Sequence, residues 1–154
     1  MTFQDKLAEL GLTLPVAPKP VAAYVPAVRT GNLIFISGQL PMASGQLLAT
    51  GPVPSKVTPE AAQAAAKQCA LNLMAILGDQ IGGDFSRVVR IVRLGVFVQS
   101  DAGYGGQPAI ANGASELLVA LLGDAGKHAR AATGTNSLPL NATVEIDVVV
   151  EVTG

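Results

Sequence analysis

From Thr143 to Val152 the chain alternates without a break: Val144, Ile146, Val148, Val150 and Val152 fall on one side of an extended strand, and Glu145, Asp147, Val149 and Glu151 on the other. Such a segment has one face to bury and one to leave partly wet. It therefore calls for a sheet with helices packed on a single face.

The helices to cover that face are legible. Thr58-Pro59-Glu60 is a helix start: Thr58 can cap, Pro59 gives up no needed donor, and Glu60 complements the positive end. Ala62, Ala66, Cys69, Leu73, Ile76 and Leu77 then recur at spacings of three and four, a core-facing stripe that Gly78 is expected to end. A second amphipathic helix runs from Pro108 through Ile110, Ala114, Leu117 and Leu121 to Gly123. Residues 3 to 11 suggest a short helix ending at Gly11, followed by extended chain enforced by Pro15, Pro18, Pro20 and Pro26.

Four further strands are expected. Val21 to Val28 and Leu33 to Ser37 form a hairpin about Thr30-Gly31-Asn32, and Val88 to Val98 is an interior strand apolar enough to be covered on both sides. Ala129 to Ser137 is a weaker strand, and residues 41 to 57 read as loop. The order β-β-α-β-α-β-β makes an α+β fold, a mixed sheet with two long helices on one face. One domain spanning 1–154, with residues 1–20 as an N-terminal arm, fits a chain of 154 residues.

Charged residues are only 14% against 49% hydrophobic, which leaves a lone protomer short of polar cover and points to a subunit interface. Ten Lys and Arg lie scattered singly, with 4% aromatic residues, so neither a basic stripe nor a stacking platform speaks for nucleic acid. No run approaches the roughly 20 apolar residues of a membrane span, and no leader pattern opens the chain. With Cys69 alone and set in a helical stripe, a reducing, cytoplasmic location is expected.

One histidine and one cysteine do not make a zinc site, so no metal is expected, and no phosphate-binding or nucleophile-elbow motif occurs. His128 reads as a loop histidine and Gly103-Tyr104-Gly105-Gly106 as a flexible loop. What remains is Arg130 and Glu145, two charges in strands, with the turn Ser37-Gly38-Gln39. Two readings of Arg130 stay open: it pairs with Glu145 or Asp147 on a neighbouring strand, or its planar fork is free to grip a small carboxylate.

Tyr24-Val25, the run Gly31-Asn32-Leu33-Ile34-Phe35-Ile36-Ser37-Gly38-Gln39-Leu40-Pro41, Ala129-Arg130, Leu138-Pro139 and Val144-Glu145-Ile146 together resemble the RidA/YjgF family of imine and enamine deaminases, also described as endoribonuclease-like. The resemblance covers residues 20 to 152. It implies a chorismate-mutase-like fold assembling as a homotrimer, with cofactor-free sites at the subunit clefts. In such a site Arg130 holds the substrate carboxylate, Glu145 orients a water, Tyr24 packs over the substrate, Ser37 and Gly38 form the adjoining turn, and Asn112 supplies a polar helix residue.

The chain departs from the family where Ser-Cys-Val-Glu-Val usually follows the arginine. Here Ala131-Ala132-Thr133-Gly134-Thr135 stands, which removes thiol chemistry at position 132. The arm and the enlarged loop 42–57 mark a longer branch. The expected function is hydrolysis of 2-imino and enamino acids to 2-oxo acids and ammonia. A non-catalytic binder or sensor of small carboxylates, and an endoribonuclease, are the alternatives.

Overall fold

The computed structural model describes residues 1–18 and 23–154. After helix α1 (Phe3–Glu9), the chain forms β1 (Ala27–Thr30) and β2 (Leu33–Gln39), and a small hairpin of β3 (Met42–Ala43) and β4 (Gln46–Leu47). Helix α2 (Pro59–Gln80), β5 (Val88–Gln99), α3 (Gln107–Leu122), β6 (Ala129–Thr135) and β7 (Val144–Val152) follow. The main sheet has the order β1-β2-β7-β5-β6, antiparallel except for the β5–β6 pair that α3 connects. Both long helices lie on one face, as an α+β fold with a mixed sheet requires.

Strand β7 sits in the middle, and its five alternating apolar residues are all at most 1% exposed. They meet α2, which is buried almost continuously from Cys69 to Leu77. Helix α3 closes tightly on α2 because Gly113 has no side chain: a Cβ there would run into the Gln63 carbonyl. Thr58 caps α2 as its sequence foretells, accepting from the Ala61 amide at 3.1 Å.

Several sequence expectations are corrected. Strand β1 begins at Ala27 rather than Val21, residues 21 and 22 of that expectation lying outside the described residues; residues 23–26 belong to no strand. Pro20 likewise lies outside them. Gly78 does not end α2. It faces the Phe85 ring, which stacks on Phe3 at 3.6 Å, and the stop comes at Gly82 and Gly83, both with positive φ. The expected loop at 41–57 contains the β3–β4 hairpin. Strand β5 is interior in the sheet but covered on one face only, leaving Phe97 39% exposed on the other. On that same open face Val28 pairs with Phe35, and both are exposed.

Candidate functional site

The register fixes which face each candidate occupies. Glu145 is paired across to Phe97 and so points to the open face, away from the helices. Arg130 is paired with the fully buried Leu94 and so leaves β6 on the helix-covered side, at the sheet edge. There its Nη1 donates to Asn112 Oδ1 at 2.8 Å and to Ser115 Oγ at 3.1 Å, both on α3. Asn112 and Ser115 are three residues apart on one helix and therefore present to the same strand.

Arg130 does not pair with Glu145 or Asp147. Strand β6 is not adjacent to β7, because β5 lies between them, and Asp147 instead approaches Arg93 at 3.7 Å. Among the described residues no carboxylate lies in salt-bridge range of Arg130, whose Nε and Nη2 have no partner. The guanidinium is exposed.

A second group of candidates gathers at the β2–β7 junction. Beyond Ile36 the register slips, so that Ser37 and Gly38 bulge opposite Asp147. The Ser37 hydroxyl donates to the Val25 carbonyl at 3.1 Å and its amide to the Pro26 carbonyl at 2.8 Å, which ties down the chain beside Tyr24. Tyr24 itself is 63% exposed. Gly38 lies directly under Glu145, and any Cβ at Gly38 would collide with Glu145 Oε1. Gln39 donates to the Ser37 and Gly38 carbonyls and holds the turn in shape.

The Glu145 carboxyl is half-buried. Partial burial raises its pKa above the ordinary glutamate value, and the nearby Asp147 charge adds to the shift. A carboxyl tuned that way is a better proton acceptor than a solvated glutamate. Cys69 packs behind this strand, fully buried, and burial raises its thiol well above the usual range. It is a core residue, as its place in the helical stripe indicates.

The candidates thus fall into two half-sites: Tyr24, Ser37, Gly38 and Glu145 at one, Asn112 and Arg130 at the other. Glu145 and Arg130 are two strand spacings apart across the sheet and three residues apart along β5, roughly 14 Å in all, and on opposite faces. Sequence reasoning missed two members of the second half-site. The Ser115 hydroxyl lies 2.9 Å from His128 Nε2, and His128 Nδ1 lies 2.6 Å from the Gly126 carbonyl. His128 is thereby partly buried and engaged. The three-residue spacing of Asn112 and Ser115 was the available signal. Among the described residues no three potential metal ligands converge, and no helix is long and apolar enough to cross a membrane.

Residues 4–152 match a family model described as "YjgF/chorismate mutase-like, putative endoribonuclease". Protein TCP17 of Trypanosoma cruzi is 40% identical over 94% of this chain and 91% of its own length. A 2-iminobutanoate/2-iminopropanoate deaminase of Dermatophagoides farinae is 29% identical over 90% of this chain and 93% of its own. The crystal structure of Atu1372 from Agrobacterium tumefaciens, a protein with unknown function, superimposes with a TM-score of 0.93 at 46% identity, covering 98% of this chain and 92% of that one.

Proposed function

The chain belongs to the RidA/YjgF family, and on that footing we propose that it hydrolyses reactive 2-imino and enamino acids to 2-oxo acids and ammonia. The observation that carries this reading is the state of Arg130: an exposed guanidinium, held by neutral side chains and matched by no carboxylate among the described residues. A 2-imino acid brings the missing carboxylate. Each charge-assisted hydrogen bond it makes is worth roughly 1.5–3 kcal/mol. The name of the mite relative supports the same substrate class.

The reaction asks little of a protein. The protonated imine is already electrophilic, so water adds to its carbon, the resulting amino alcohol expels ammonia, and the 2-oxo acid remains. Glu145 takes a proton from the attacking water and returns one to the departing nitrogen. Arg130 holds the carboxylate so that the carbon-nitrogen bond is presented to that water. Tyr24 covers the substrate, the Ser37-Gly38 turn borders it, and Asn112 keeps the guanidinium in place.

Since Arg130 and Glu145 leave one sheet on opposite faces, the reaction needs Arg130 of one copy to meet Glu145 of another. We therefore propose a homotrimer with a site in each cleft between subunits. The exposed Val28, Phe35 and Phe97 on the open sheet face suit that assembly, since packing copies there removes apolar surface from water. The test is ammonia release from freshly generated 2-iminopropionate. The expected result is acceleration by the wild type that is lost in Arg130→Ala. Binding of a 2-oxo acid at Arg130 with no acceleration would replace this reading by that of a carboxylate sensor.

A further inference from the structure

With the His128 ring neutral, the hydrogen-bond chain behind Arg130 has one consistent direction. The Gly126 carbonyl can only accept, so the His128 ring carries its proton on Nδ1 and donates to it at 2.6 Å. Nε2 of the neutral ring is then an acceptor, and the Ser115 hydroxyl donates to it at 2.9 Å. With its proton committed there, Ser115 Oγ turns a lone pair to Arg130 Nη1 at 3.1 Å. Asn112 Oδ1 takes a second hydrogen of the same Nη1 at 2.8 Å. One end of the guanidinium is thereby saturated by neutral acceptors. The opposite edge, Nε with Nη2, has two parallel N–H groups and no partner among the described residues, the geometry that accepts both oxygens of a carboxylate.

We infer that Ser115 and His128 are positioning residues for the clamp, fixing Arg130 through Nη1 so that its Nε/Nη2 edge is turned outward to the substrate carboxylate. The inference rests on the proposed role of Arg130. His128 needs no contact with substrate; it orients a hydroxyl that orients a guanidinium. The same chain explains why the partners are uncharged: a carboxylate in place of Ser115 or Asn112 would satisfy Arg130 from within and blunt its pull on a ligand.

The test uses Ser115→Ala, His128→Leu and His128→Gln, with pyruvate binding followed by calorimetry, KM and kcat measured on 2-iminopropionate, and melting temperature. Ser115→Ala and His128→Leu are expected to raise the pyruvate Kd and the KM about tenfold, with kcat within about twofold, since one orienting hydrogen bond is lost and the proton acceptor is untouched. His128→Gln offers an amide oxygen to the Ser115 hydroxyl and is expected to recover most of the affinity. Should His128→Leu fail to fold, Ser115→Ala decides. Wild-type affinity in Ser115→Ala and His128→Leu, with only their melting temperature lowered, overturns the inference while leaving the clamp intact. A wild type that neither binds pyruvate nor releases ammonia removes the clamp itself, and this inference with it.

Discussion

Arg130 and Glu145 project from opposite faces of a single sheet, with β5 running between the strands that carry them. Arg130→Ala and Glu145→Gln should each be inactive alone. Unfolded together in equal amounts and refolded, they should regain activity at about a quarter of the sites, because random assortment puts an intact arginine and an intact glutamate on either side of a cleft that often. Ammonia release from the mixture, against each variant refolded alone, checks this. No recovery would mean that both groups act from one subunit or not at all.

Gly38→Ala separates activity from stability. The new methyl group meets the tip of a flexible side chain, so the Glu145 carboxylate swings aside and the fold survives with a loss of about 1 kcal/mol or less. The displaced carboxylate no longer reaches the water, and kcat should fall by at least about tenfold, in the range expected when a general base is misplaced. Denaturant melts and turnover on the same preparation give both numbers.

Acidity should act on turnover and stability in opposite directions. Glu145 titrates above its ordinary value when folded, through burial first and the Asp147 charge second. Below the ordinary value it is protonated folded or unfolded and costs nothing. As pH rises from there through the raised folded value, the unfolded chain sheds its proton first, so stability falls. Over the same window the carboxylate forms and turnover rises. Glu145→Gln should lessen the fall in melting temperature across that window, leaving the part due to Asp147, also raised by burial, and raise it near neutrality, as thermal melts on a pH series will show.

Val148→Asp tests the central strand. Val148 is 1% exposed on the helix-covered face, and a carboxylate there has neither water nor a cation. The cost is about 3–5 kcal/mol, comparable with the whole stability of a domain at the low end of the usual range of roughly 5–15 kcal/mol. Circular dichroism and sedimentation should report loss of the fold; an unchanged melt and mass would contradict the strand's placement.

The elements most legible in the sequence are those set by local chemistry. The Thr58-Pro59 start of α2, the Gly123 end of α3 and the alternation of β7 each follow from a few adjacent residues. What was not legible depends on distant partners. Gly78 looks like a stop and is instead the gap that admits Phe85, a residue seven positions on. The valines of β5 cannot announce that one of its faces stays open, since hydrophobic residues serve a covered face and a subunit interface alike. Arg130 and Glu145 stand out as charges set in strands, and the family resemblance supplies the roles expected of them. Their separation onto two faces emerged only from the strand order; Ser115 is signalled only by its three-residue spacing from Asn112, and His128 by nothing local.

Asn72 is one of the few buried polar residues, midway along α2. Its Nδ2 donates to the Leu40 and Met42 carbonyls at 3.0 Å each, while its Oδ1 accepts from Gln68. The exit of the Ser37-Gly38-Gln39 turn is therefore moored to the helix beneath it as well as to the neighbouring strand. The floor under Glu145 is thereby set by a side chain of the hydrophobic interior, and its height follows the packing of α2.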